Sequence, residues 1–214
     1  MTRPHFDWLA PHYSWIEHVT HGELLNWCRT ALLSELTSAR RVLVLGEGDG
    51  RFLSALLLAN SAAEVDVVDA SPAMVTLAQK RVAAVPGAAC RVQWHIADAR
   101  TVELPVAYHD LIVTNFFLDC FPATELDPLI VKLARSLATG GQWLVGDFAL
   151  PQRRAARVAA YVALAGMYAF FNLTTRIPAW RLVDPRPFLQ AQGLTLEREK
   201  LRLAGFLSAS LWRL

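Results

Sequence analysis

With 214 residues, 54% of them hydrophobic, the chain can bury one sizeable core, and a single domain is expected. Its 21 basic residues nearly balance 19 acidic ones without any long Lys/Arg run, so a nucleic-acid partner is not favoured. Three cysteines, Cys28, Cys90 and Cys120, stand too far apart for a metal knuckle or a disulfide framework and read as buried thiols.

The opening stretch "MTRPHFDWLAPHYSW" has polar and charged residues where a signal peptide needs an uninterrupted apolar run, which predicts a cytoplasmic protein. Residues 1–40 show no strand pattern. "GELLNWCRTALLSEL" places Leu24, Leu25, Cys28, Leu32 and Leu36 on one helical face, predicting a helical cap across the ligand-binding edge of a sheet.

From residue 41 short Val/Ile/Leu runs alternate with stretches of helical period, the pattern of a doubly wound α/β fold around a parallel sheet. The predicted strands are 41–45, 64–68, 91–96, 110–115 and 142–148. Between them lie helices at "RFLSALLLAN", at "PAMVTLAQKRVAAV" with Ser71 as N-cap and Pro72 at the first position, and at "ATELDPLIVKLARSLATGG", ended by Gly140 or Gly141. Residues 41–150 thus form a ligand-binding core.

Residues 151–193 read as a helical region, within which "VAAYVALAGMYAFFNL" is uncharged. That run is short of the about 20 apolar residues of a membrane span; a buried or pocket-lining helix is the simplest reading, with peripheral membrane contact the other. "LTLEREKLRL" and "FLSASLWRL", separated by Ala204 and Gly205, predict an antiparallel hairpin over 194–214.

Ligands of open α/β sheets bind beyond the C-terminal strand ends, where the strand order reverses. The turn "GEGDG" after the first strand belongs there, but a dinucleotide loop wants a small residue where Arg51 stands. Glu47 and Asp49 would also repel a pyrophosphate, whereas a cofactor carrying cations, such as S-adenosylmethionine, would not suffer that penalty. Asp49 could instead cap the following helix. Asp69, ending the second strand, is placed to accept hydrogen bonds from ribose hydroxyls, and Asp98, after the third, from an adenine amino group.

These residues resemble the class I S-adenosylmethionine-dependent methyltransferases. "VLVLGEGDG", "VDVVDASPAMVTLAQKR", "IADA", "YHDLIVTNFFLDCF" and "LARSLATGGQWLVGDF" are similar to that family's successive motifs in order and spacing. The resemblance implies a Rossmann-like seven-stranded sheet with an antiparallel last strand. It also implies that Gly46, Glu47 and Gly48 back the methionine part of the cofactor, Asp69 holds the ribose, Ala70 and Met74 border the adenine, and Asp98 with Ala99 meets its amino group. Asn115 and Phe116 would face the sulfonium and the methyl acceptor. "FDWLAPHYSWIEHVTHGELLNWCR" resembles the entry segment of ubiquinone and menaquinone biosynthesis methyltransferases, by which Tyr13 would reach the methionine carboxylate. One departure stands out: the acid usual two residues before the first glycine is Val44 here.

Methyl transfer is an in-line displacement, so positioning carries most of it, and a base is needed only for an acceptor that loses a proton. His12 and Asp147 are the candidates, and each has a plainer structural reading. His5, His18, His21, His95 and His109 share no ligand spacing, so no metal is expected. The apolar and aromatic 151–193 region suggests a small lipophilic or aromatic acceptor. Two other readings stay open: an aminopropyltransferase, opposed by Asp119 being the only acid in "VTNFFLDCF", and a catalytically silent cofactor-binding protein.

Overall fold

The computed structural model describes residues 22–175 and 179–214. In chain order it contains α1 (Gly22–Thr30), β1 (Arg41–Leu45), α2 (Arg51–Ala59), β2 (Glu64–Asp69), α3 (Pro72–Val82), β3 (Val92–Ile96), β4 (His109–Asn115), α4 (Ala123–Ser136), β5 (Leu137–Phe148), α5 (Arg154–Thr175), α6 (Arg186–Ala191), β6 (Thr195–Arg202) and β7 (Leu207–Arg213). The strands form one seven-stranded sheet in the order β3-β2-β1-β4-β5-β7-β6. β1 to β5 run parallel, and β7 enters antiparallel between β5 and β6. The order reverses between β1 and β4, so the crevice past their C-terminal ends is the place for a ligand.

The alternation of β1 shows why the sheet is covered on both faces. Val42 and Val44 join Cys28, Leu32, Leu36, Phe52 and Leu56 on one side. Leu43 and Leu45 join Ile112, Leu126, Ile130, Leu133 and Trp143 on the other. Each such aliphatic side chain contributes about 1.5–3 kcal/mol on burial. Trp143 is fully enclosed, with its indole N–H donating to Thr114 Oγ1 at 3.0 Å.

Three expectations need correction. The face from Leu24 to Leu36 is not one helix: α1 stops at Thr30 and a separate one-turn segment covers Leu33–Leu36, so Leu24 and Leu25 stay half-buried while Cys28, Leu32 and Leu36 are enclosed. Helix α4 ends at Ser136, before either glycine, because the N–H groups of Ala107 and Tyr108 take the carbonyls of Arg135 and Ser136 and the chain passes directly into β5. Gly140, at φ +74°, then serves an exposed bend within the strand. Cys90 is exposed rather than buried. No described helix is long and apolar enough to cross a membrane.

Candidate functional site

The turn after β1 is built on backbone that side chains resist. Gly46, Gly48 and Gly50 lie at φ +63°, +72° and +86°, the left-handed region. Gly50 is fixed by a close approach as well, since a Cβ there would stand 2.7 Å from Ala78 Cα. Gly46 lies under the Phe117 ring, 2.5 Å from where its Cβ would be.

The two acids of the turn face inward, and neither offers its charge to a ligand. Asp49 Oδ2 takes Arg51 Nε at 2.9 Å and Arg81 Nη2 at 2.8 Å, so it ties the turn to α3 and leaves α2 without a side-chain cap from the residue expected to provide one. That part falls to Glu47, whose Oε1 accepts the Leu53 N–H at 2.8 Å. Burial pushes the Glu47 carboxyl up to about 8, with the Leu53 N–H and the charge of Arg29 pulling the other way. The repulsion argument against a pyrophosphate therefore has no physical basis in this turn. Val44 lies in the core between Val67 and Val113, with no polar role to fill.

Asp69 ends β2 with Oδ1 on the Ser71 N–H at 2.9 Å and Oδ2 3.5 Å from the Gly48 N–H, so its carboxylate stands beside the glycine turn. Ser71 caps α3 through the Met74 N–H; Met74 is buried and Ala70 exposed. Asp98 follows β3 and is gripped by Arg100, at 2.6 Å from Nη2, while Arg100 also reaches Glu125 at 2.7 Å. The buried Ala99 gives its carbonyl to Lys132. Asp98 therefore has an arginine partner that its sequence position did not announce.

Across the crevice, β4 ends in Asn115 and Phe116. Asn115 is 9% exposed, and neither its amide nitrogen nor its oxygen has a hydrogen-bond partner among the described residues. Leaving a buried polar group unsatisfied costs about 1–3 kcal/mol, which makes this amide a candidate ligand-binding group. Gly146 makes room for it, since a Cβ there would meet Asn115 Oδ1 at 2.4 Å. Phe116 adopts φ +51°, a strained conformation for a non-glycine residue, with the Arg29 guanidinium 5.4 Å from its ring centroid.

Behind Phe116 lies a carboxylate pair. Asp147, at the end of β5, is buried and accepts the Phe148 N–H at 2.8 Å and the Asp119 N–H at 3.2 Å. Burial, then the negative charge of Asp119, pushes Asp147 far above the carboxylate range. Burial raises Asp119 to about 6, and the Tyr168 hydroxyl of α5 donates to the Asp119 carbonyl. Arg29, Phe117 and Tyr168 were not singled out from the sequence, and Asp119 entered there only as an isolated acid. His12 and Tyr13 lie outside the described residues. Among the described residues no group of three or more His, Cys, Asp or Glu could hold a metal.

Residues 42–141 match a family model described as a methyltransferase domain. That stretch, just under half of the chain, is thus similar to methyltransferase domains. The chain is 32% identical over 146 residues to the carboxy-S-adenosyl-L-methionine synthase of Dichelobacter nodosus, covering 67% of this chain and 57% of that one. It is 30% identical over 144 residues to polyamine aminopropyltransferase 2 of Bacillus cereus, covering 60% and 36%. With the demethylmenaquinone methyltransferase of Thermus thermophilus it shares 28% over 152 residues, covering 70% and 67%. The chain thus spans little more than half of the first relative and about a third of the second. Among solved structures, the S-adenosylmethionine-dependent methyltransferase SibL superposes with a TM-score of 0.67 at 25% identity, over 86% of this chain and 54% of that one. An O-methyltransferase family protein from Burkholderia thailandensis gives 0.66 at 21%, over 86% and 54%, a likeness of fold. This class of domain binds S-adenosylmethionine, and the residues present fit it: a left-handed glycine turn, a carboxylate beside it and an unpartnered buried amide across the switch point.

Proposed function

We propose that this chain transfers a methyl group from S-adenosylmethionine to a small molecule seated between Phe116, the Asp119–Asp147 pair and α5. The observation that carries the reading is the Asn115 amide at the end of β4, buried and without a partner among the described residues. In this reading Gly46, Gly48 and Asp69 hold the cofactor, with Ala70, Met74, Asp98 and Ala99 on its adenine side. When bound, the cofactor supplies an electrophilic methyl carbon. The protein's part is to hold the acceptor in line with it and keep water away.

A lipophilic or aromatic acceptor fits the wall formed by Phe148, Phe206, Leu150, Met167 and Leu182, which pack around Leu164 and Tyr168. Where the acceptor must lose a proton, Asp119, its carboxyl raised to about 6 by burial, is the group that would take it, beside an Asp147 carboxyl that burial and the Asp119 charge push upward. Asp147 then acts by holding the Asp119 backbone. That pair also supports a second reading. The acid after β4 is joined by one from β5, so two carboxylates stand where an amine acceptor would need them, in keeping with the aminopropyltransferase relatives.

Asp69→Ala is expected to lower S-adenosylmethionine affinity by about 1.5–3 kcal/mol, the range for hydrogen bonds to a charged group. Calorimetry on the folded variant checks this, and unchanged affinity would remove the ribose assignment. A radiolabelled methyl-transfer screen over phenols, quinols, carboxylates and amines then separates the acceptor classes. Cofactor binding without transfer to any of them would favour a silent binding protein.

A further inference from the structure

Helix α5 is apolar on a side that none of the described residues covers. Ala160, Leu164 and Tyr168 form its buried stripe, whereas Val158, Tyr161, Val162, Ala165 and Ala169 are exposed, Val162 at 70%. Arg154, Val158, Val162, Ala165 and Ala169, spaced four, four, three and four, define one outward line that begins with a cation and continues without a polar side chain. Just beyond the helix Trp180 is 74% exposed, beside the exposed Arg181. A soluble surface has no use for such a stripe, and patches of this kind mark an interaction face.

Charge decides the occupant. Residues 149–183 contain five arginines and no Asp or Glu, so the remainder of the chain has 16 basic residues against 19 acidic ones. The described Arg153, Arg154 and Arg157 stand exposed at the start of the apolar helix and Arg181 stands exposed beyond its end. A second copy docking through the same face would bring like charges together, and a nucleic acid would leave Val158 and Val162 without a partner. An anionic bilayer satisfies both features, taking the aliphatic stripe and Trp180 into its headgroup boundary and the arginines against its negative surface. We propose that the protein docks peripherally on anionic membranes through the outer face of α5 and Trp180. Because Tyr168 of the same helix touches Asp119, docking would set the acceptor pocket at the lipid surface; that corollary alone rests on the methyl-transfer reading.

The test is co-sedimentation of the whole protein with vesicles of phosphatidylcholine alone or with one third phosphatidylserine, at low and high salt. The expected result is binding to the anionic vesicles only, lost at high salt, with a blue shift in tryptophan emission. Val158→Asp with Val162→Asp should lower the partition at least about tenfold by exchanging buried apolar groups for charges. Arg154→Glu should lower it by roughly fivefold or more. Circular dichroism and S-adenosylmethionine affinity should be unchanged in both variants, so loss of cofactor binding by the parent protein would count against the methyl-transfer reading and not against docking. Failure to bind anionic vesicles at low salt overturns the proposal. So does a wild-type dimer that Val158→Asp with Val162→Asp turns into a monomer, or preferential binding to nucleic acid.

Discussion

Where the strands begin, the buried His109 and Asn60 find hydrogen-bond partners; where they end, the buried Asn115 finds none among the described residues. Near the strand starts, Asp66 takes Nε2 of both His95 and His109, and His109 Nδ1 meets Ser136 Oγ at 2.6 Å. The same pair of histidines holds the Asp66 carboxyl below its ordinary range. Asn60 donates to the carbonyls of Leu36 and Ala39 and accepts the Ala62 N–H. Past the strand ends, Asn115 has no partner among the described residues, Phe116 is strained, and Glu47, Asp119 and Asp147 are carboxyls pushed upward by burial. The buried His109 and Asn60 are thus completed by the protein, whereas the buried Asn115 is not completed by any described residue. Completion serves stability; incompletion is tolerated where a ligand can finish the set.

Three measurements would break or sharpen this contrast. The largest effect is expected from pH acting on Glu47. Its carboxyl is raised to about 8 in the folded protein, so the folded state binds the proton more tightly than the unfolded chain. Stability from this group is therefore retained below the unfolded value near 4.5 and lost as pH rises toward 8. Glu47→Gln keeps an acceptor for the Leu53 N–H and removes the titration. The variant should gain on wild type between pH 5 and pH 9 by a few kcal/mol, read by urea unfolding at each pH. A gap that stays constant with pH would contradict the assignment.

Next, Asn60→Ala orphans the Ala39 carbonyl and the Ala62 N–H and removes one of two donors to the Leu36 carbonyl, and should cost about 1–3 kcal/mol of stability while leaving S-adenosylmethionine affinity unchanged below the melting range. The smallest stability effect, and the sharpest test, is Asn115→Ala. Since the amide makes no hydrogen bond in the folded protein, thermal stability should move by no more than about 1 kcal/mol while cofactor binding weakens measurably. A large loss of stability would mean that Asn115 is structural after all.

Much of this fold could be read from residues alone, because strand runs such as Arg41–Leu45 and the closing hairpin obey local rules of period and turn chemistry. The end of α4 could not be read that way, since it is set by Ala107 and Tyr108 on a distant loop, and no glycine near Ser136 was needed. The site divides likewise. Asp69 announced itself by ending a strand, and the structure does set it beside Gly48. Arg100 lay two residues from Asp98 without showing that it would grip it. Asp119 and Asp147 come from different strands' ends, and their meeting depends on β4 and β5 being neighbours in the sheet. The one signal available was Asp119 itself, an isolated acid amid "NFFLDCF".

The arginine clasp on Asp49 carries a consequence for recognition. Arg51 holds it from the start of α2 and Arg81 from the end of α3, so the two helices flanking the glycine turn are tied through a single carboxylate. A ligand entering such a turn meets a rigid mould, and the entropy of shaping it has already been spent in folding. Loosening that clasp would leave the chain folded and every group that touches the ligand intact, yet would make each encounter begin with a search.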